Sequence, residues 1–343
     1  MNGAVRVALM ASGDSSRWDA FVDSCSEATF CHRSGWQRVV EEGGRHPTWF
    51  FYAEEAGRIC GVLPLAEVRS RLFGHALVSL PFCVYGGIAA SNEQARSVLR
   101  TAAEELAEER GAGYLEFRTT TGPIDGYGTR DLYYTFRRPI SADPEANLAA
   151  VPRKQRAVLR KAIGAGFHAE VDADSRRFYQ LYAESVHRLG TPVFGRRLFE
   201  VMRDEFRGCT EIRVILQKGR PLSAVLSFRF RDQILPYYGG GLEAARNGAN
   251  DFMYWSLMND AAARGCTLFD FGRSKLGTGA FAYKKNWGFA PQPLAYQHRL
   301  VRADSMPETN PSNPRYALLI RGWKLLPLAL ANRLGPPLAR YLG

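Results

Sequence analysis

The sequence predicts an α/β (α+β) protein of two tandem domains, each a mixed, mainly antiparallel sheet flanked by helices, followed by a C-terminal amphipathic tail. Three observations lead there. The 343 residues exceed one ordinary domain and suit two of about 150. With 46% hydrophobic and 12% aromatic residues, the chain has enough apolar material for real cores. An order of helix, helix and three strands also occurs twice, although the two halves do not align residue by residue. The boundaries are placed at 1–140, 141–305 and 306–343.

In the first part, Val5 to Leu9 reads as a strand and Arg17 to Ser24 as a helix. Ser34 has the chemistry of an N-cap for a helix over Gly35 to Glu42, with Trp36, Val39 and Val40 on its apolar face. Thr48 to Glu54 and Ile59 to Val68 form a hairpin about the turn Glu55 to Arg58. In the run Leu80 to Ile88, the pair Gly86-Gly87 next to Tyr85 marks either backbone held close to a ligand or a bend at a strand end. Ser91 to Arg110 is a helix with Val98, Leu99, Ala102 and Leu106 at helical spacing. Tyr114 to Arg118 and Leu132 to Arg137 are strands that close the first domain.

The second domain opens on a basic helix started by Pro152 and ended by Gly164 and Gly166. Arg153, Arg156 and Arg160 share one face beside Lys154 and Lys161, with Leu159 and Ile163 on the buried side. The basic face suits solvent or a phosphate or RNA backbone, since Arg forks match phosphate oxygens. Helices over Ser175 to Leu189 and Arg196 to Phe206 precede strands Glu211 to Gln217, Leu222 to Arg231 and Gln233 to Tyr238. Gly239 to Gly241 then permit a bulge or a splayed edge. Asn250 caps a helix from Asp251 to Arg264. Asp251 is explained either by the helix dipole or by a place in a cleft.

The stretch Cys266 to Leu300 carries the strongest pattern: a buried strand Leu268 to Phe271 holding Asp270, a loop with Arg273, Lys275, Gly277 and Gly279, a short helix Ala280 to Asn286 holding Lys284 and Lys285, then Trp287, and a last strand Leu294 to Leu300. Glycine loops at helix starts suit anions, yet this one is neither a P-loop nor a GxGxxG fingerprint. FDFGRSK-x-GTGA-x-x-x-KKNWGF resembles the C-terminal signature of the FemAB-like branch of the GNAT acyltransferase superfamily. Within it the chain is most similar to FemAB-like proteins associated with bacterial exosortase and exopolysaccharide (PEP-CTERM) loci. The resemblance covers roughly residues 30 to 300 and implies two tandem GNAT-like domains. It also implies acyl or aminoacyl transfer to an amine, with basic residues holding phosphates and no obligatory side-chain base.

Carried onto these positions, the resemblance makes Arg273, Lys275, Gly277, Gly279, Lys284 and Lys285 donor-binding candidates. Arg153, Lys154 and Arg156 of the basic helix, Tyr85 and Trp287 join them. Asp251, Tyr238 and Asp270 are the polar candidates near the reacting centre. The simple acetyl-CoA motif [QR]xxGx[GA] is not met, because Arg273 stands four residues before Gly277. No long helical-hairpin insertion is present either. The donor therefore stays open among acyl-CoA, an acyl carrier protein thioester and aminoacyl-tRNA, as a co-substrate and not a resident cofactor.

A net charge of +11 and a pI of about 9.5 favour an anionic partner. The six scattered cysteines lack CxxC spacing, so no metal site and only reduced thiols are expected. No Ser-His-Asp order or GxSxG elbow points to a hydrolase triad. The first residues lack a signal-peptide pattern, so the expected location is cytoplasmic. After a proline-rich linker, Asn310 to Pro314, the tail mixes leucines and Trp323 with Arg315, Arg321, Lys324, Arg333 and Arg340, and Pro327, Pro336 and Pro337 break it into pieces. Residues 315–343 suit the anionic membrane interface or docking on the protein itself. Together with these features, the FemAB-like resemblance implies peripheral N-acylation of an amine-bearing envelope glycan or lipid precursor. Acetylation of a soluble metabolite and a non-catalytic scaffold are the alternatives.

Overall fold

The computed structural model describes residues 4–70, 74–120, 122–306 and 314–343. Its residues group into two units: Met1–Tyr133 with Leu294–Asn310 and Arg340–Gly343, and Tyr134–Pro293 with Pro311–Ala339.

The first unit contains β1 (Arg6–Leu9), α1 (Ser15–Ser24), the single turn α2 (Trp36–Arg38), β2 (Thr48–Glu55), β3 (Arg58–Ser70), β4 (Gly74–Ser79), β5 (Ala89–Ala90), α3 (Glu93–Glu109), β6 (Tyr114–Arg118) and β7 (Gly128–Arg130). The β2–β3 hairpin turns where expected, with Ala56 and Gly57 both at positive φ, as a tight primed turn demands. Asn92 caps α3 by accepting from the Ala95 N–H at 2.8 Å. That helix buries Ala95, Leu99, Ala103, Leu106 and Ala107; Val98 and Ala102 are half-buried, so the core face is rotated by one residue. Full burial of each leucine contributes about 1.5–3 kcal/mol. Ser34 is not an N-cap: its backbone N–H donates to Asp19, and after α2 the chain loosens into a π-helical stretch, Val39–Gly44. Gly86 answers why two glycines follow Tyr85. A Cβ there would stand 1.7 Å from the Ser79 carbonyl oxygen, so the close neighbour is the chain's own backbone.

The second unit contains β8 (Tyr133–Pro139), α4 (Pro144–Ala149), α5 (Arg153–Ile163), β9 (Phe167–Asp172), α6 (Arg176–Leu189), α7 (Arg196–Glu205), β10 (Thr210–Gln217), β11 (Arg220–Phe230), β12 (Gln233–Gly241), α8 (Ala249–Ala263), β13 (Leu268–Asp270), β14 (Ser274–Lys275), α9 (Gly279–Asn286) and β15 (Pro291–Pro293). Gly248, at φ +113, precedes α8, so the helix begins one residue before Asn250 and Asn250 is inside it. On α5, Leu159 and Ala162 are buried while Ile163 is 39% exposed, a shift to i, i+3 packing.

The two sheets repeat one design. The first runs β1-β2-β3-β4-β6, then the strand Tyr296–Leu300 (β16), then β7; the second runs β9-β10-β11-β12-β13-β8-β14. In each, one parallel pair follows an antiparallel meander: β4 with β6 and β12 with β13. The strand beyond that pair is the surprise. β8, expected to close the first domain, pairs with β13 in the second sheet. β16, expected in the second domain, pairs with β6 in the first. A boundary strand's alternation tells which face it buries but not which sheet edge it joins.

The tail forms α10 (Pro314–Leu325) and α11 (Leu328–Ala339). Pro327 separates them as expected, but Pro336 and Pro337 lie inside the last turn of α11 and do not break it, although each lacks the N–H that would donate to the fourth carbonyl back. The proline-rich linker lies outside the described residues except for Pro314, as does the Arg315 side chain.

Candidate functional site

The parallel pair of the second sheet is where the backbone opens. β12 and β13 are registered only at Gln233↔Leu268 and Ile234↔Phe269. Beyond them β12 continues to Gly241 while β13 stops at Asp270. A bulge helps this parting: on β11, Leu226 opposes Tyr238 while Ser227 opposes Pro236, leaving Tyr237 extra. From Leu235 to Gly241, one edge of β12 therefore has no ladder partner on the β13 side. Tyr254 of α8 spans the gap. A Cβ on Gly239 would meet its hydroxyl at 2.9 Å, and its ring contacts Phe271 at a 4.9 Å centroid distance. Burial lifts the Tyr254 phenol to about 12, so it is a neutral donor at physiological pH.

Asp251, in the first turn of α8, stands one turn before the gap-spanning Tyr254 and is 8% exposed. Three neutral donors converge on its Oδ1: Gln155 Nε2 at 2.7 Å, the Tyr283 hydroxyl at 3.1 Å and Trp287 Nε1 at 3.1 Å. Among the described residues no donor reaches Oδ2. Burial raises the carboxyl above its ordinary value, and the three hydrogen bonds only partly oppose that. Among the described residues no cation pairs with it. A carboxylate made more basic, hydrogen-bonded on one oxygen and one turn from the residue that spans a strand gap, has the properties of a proton acceptor.

The other candidates fall into three groups. Trp287 is fully buried and holds Asp251; Arg138 anchors it by donating to its carbonyl oxygen at 3.0 Å. It positions the site and presents no surface to a donor. Asp270 is 1% exposed; its Oδ1 accepts the Gly272 N–H at 2.8 Å, and Oδ2 lies 3.2 Å from Arg137 Nε. That is a charge-compensated anchor for the loop, not a reacting acid. Lys284 faces inward. Its ammonium donates to the carbonyls of Phe271, Gly272 and Arg273 at 2.6, 3.0 and 3.1 Å, which uses all three of its N–H groups. Burial lowers it to about 7 against the nearby Asp270. Arg156 likewise donates to the Val151 and Ala149 carbonyls and closes the end of α4.

Arg273 and Lys275 are half-buried, whereas Gly277, Gly279, Lys285, Arg153 and Lys154 are exposed. These form the part of the expected anion-binding set that faces solvent. Tyr238 is half-buried among Tyr182, Phe194, Phe199 and Tyr237, an aromatic cluster under the bulge. Tyr85 is 4% exposed and belongs to the first unit. Sequence reasoning missed Gln155, Tyr254 and Tyr283. Tyr283 stands four residues before Trp287, on one helical face, and that spacing was a usable signal; Gln155 carried none. Among the described residues no cluster of metal-ligating side chains occurs.

Comparison with known proteins bears on the domain and the fold. Residues 150–285 match the acetyltransferase (GNAT) domain family. No curated protein matches the chain by sequence. Among solved structures, that of FemX is similar at a TM-score of 0.68 with 15% identity, over 87% of this chain and 98% of that one. The C-terminal domain of a putative lysylphosphatidylglycerol synthetase from Agrobacterium fabrum gives 0.55 and 14%, over 84% and 92%. A tandem GNAT protein from the clavulanic acid biosynthesis pathway gives 0.53 and 14%, over 87% and 98%. Residues 150–285 are thus similar to the acetyltransferase (GNAT) domain family, and the fold is that of tandem GNAT proteins.

Proposed function

We propose that this protein is an N-acyltransferase whose second unit passes an acyl or aminoacyl group to an amine. The observation that carries this is Asp251 near the parted strands β12 and β13. The reaction forms a C–N bond and breaks the donor's C–S or C–O bond. An ammonium cannot attack until it loses a proton, and Asp251 takes it. In this reading, N–H groups of the unpaired β12 edge stabilise the oxyanion. Asp251 then returns that proton to water, and the second nitrogen proton, lost as the C–S or C–O bond breaks, leaves with the thiol or hydroxyl. Arg273, Lys275 and Lys285 attract the anionic donor, whether a thioester or a charged tRNA. The names of the fold neighbours, FemX, a lysylphosphatidylglycerol synthetase and a tandem GNAT protein described without AcCoA, support a donor of either class.

The acceptor in this reading is an amine on an envelope glycan or lipid precursor, and the protein works on the inner membrane surface in exopolysaccharide formation. The tail supports the membrane part. Leu318, Leu319 and Leu325 are 78%, 69% and 80% exposed among the basic Arg321 and Lys324, while Ala331, Gly335 and Ala339 turn inward. No helix among the described residues is long and apolar enough to cross a membrane. The glycan role rests on the sequence resemblance.

The test is donor consumption with a panel of amines, using acyl-CoA, acyl carrier protein thioester and charged tRNA. Turnover with one donor, lost in Asp251→Asn, supports the reading; no turnover with any donor overturns it. Sedimentation with anionic vesicles, reduced in Leu318→Ser/Leu319→Ser, tests the membrane part separately.

A further inference from the structure

The first unit holds a segment of its own chain much as a protein holds a peptide ligand. The Arg340 carbonyl oxygen lies 2.9 Å from His46 Nε2, and the Gly343 carbonyl oxygen accepts from Arg118 Nη2 at 3.0 Å. Both receiving side chains are more than nine-tenths buried, His46 at 3% and Arg118 at 6% exposure. Arg118 is held rigid: Nη1 donates to the Cys83 carbonyl at 2.7 Å, Nε donates to Glu116 at 3.1 Å, and the guanidinium lies 5.5 Å from the Tyr296 ring centroid. Tyr341 meets the His46 ring edge-on at 5.8 Å.

Gly343 fits because it has no side chain. A Cβ there would come 2.5 Å from the Phe82 ring and 3.0 Å from the Phe82 nitrogen. Phe82 itself sits at φ +67, a conformation costly for a bulky residue and kept only where its surroundings hold it. The segment adds little apolar burial of its own, since Leu342 is 42% exposed. What the groove reads is therefore two backbone carbonyls and one small residue.

We infer that the His46–Phe82–Arg118 groove is a peptide-binding site, and that residues 340–343 are a tethered occupant that a free peptide must displace. Its ligands present two backbone carbonyls and a glycine, or a residue nearly as small, against Phe82. The site is independent of the acyl chemistry assigned to the second unit. A tethered occupant acts at roughly millimolar effective concentration, so micromolar peptide does not compete with it.

The test uses the full chain with Gly343→Leu, which drives the segment from Phe82 without altering the groove. The probe is a fluorescent, C-terminally amidated peptide of residues 336–343. Fluorescence anisotropy is expected to show binding to Gly343→Leu at least tenfold tighter than to the unaltered protein. Adding Arg118→Gln is expected to weaken it tenfold or more. Because Arg118→Gln removes a buried charge and threatens folding, a probe peptide with leucine in place of its glycine repeats the test on an intact groove, and it must fail to bind. Equal binding to both proteins, binding to neither, or binding of the leucine peptide overturns the inference.

Discussion

The two sheets place one parallel strand pair at the same topological position and treat it differently. In the first unit, β4 and β6 stay in register from Ala76↔Tyr114 to Ser79↔Phe117, the last residue of β4. In the second, β12 and β13 part after Ile234↔Phe269. Past the closed pair, Arg118 sits against Glu116 and a glycine carbonyl. Near the open one, Asp251 sits among three neutral donors and, among the described residues, no cation. One topology thus yields a neutralised binding groove and a slot with a carboxylate of raised pKa nearby. The parting of the strands, more than the fold, separates the two roles.

The largest effect should come from Asp251→Asn. Its amide oxygen still accepts the three donors, so folding should survive, while the rate of acyl transfer should fall by about 10²–10⁴. A loss below tenfold would mean that the open pair needs no base. Asp270→Asn is the matched control at the end of β13. It breaks a buried ion pair and should cost about 3 kcal/mol in urea unfolding, near the low end for such pairs because Arg137 is a third exposed. Donor binding should then weaken only through the loosened loop.

Lys284→Met separates support from chemistry by pH. The folded-state pKa, lowered from 10.5 to about 7, means that the unfolded chain binds more protons between those values. Stability should therefore rise from pH 7 towards pH 10.5, by at most about 1.4 kcal/mol per pH unit, and the Met variant should lack that slope. An unchanged slope would remove Lys284 from the loop's interior. The smallest effect is expected of Gly239→Ala. Its Cβ, meeting the Tyr254 hydroxyl at 2.9 Å, narrows the slot and should weaken donor binding roughly tenfold, about 1.4 kcal/mol, as read by donor-induced thermal shift.

Much of the fold was legible from pattern. The hairpin, α3, α6, α7 and the β10–β12 meander all announce themselves by periodicity and turn residues. Strand partners at the domain boundary were not, because β8 and β16 carry no local signal of the sheet they join. In the site, Asp251 and Trp287 were both singled out, yet their contact joins residues 36 apart. The lysine pair misled. Lys284 and Lys285 read alike as anion binders, but Lys284 lies three residues from both Phe281 and Trp287 and so shares their inward face, whereas Lys285 points out. Helical spacing held that information, and charge concealed it. The glycines of the 277–279 loop have open space where a side chain would stand, whereas the chain's own backbone closes on Gly86.

The most direct test of the account is a carboxyl carbon NMR titration of aspartate-labelled protein, with Asp251→Asn to assign the signal. We predict one aspartate titrating above the ordinary value of 3.8, raised by burial near the parted strands, and its disappearance in the variant. If Asp251 titrates at or below that value, the slot has no poised base and the chemistry proposed for it fails.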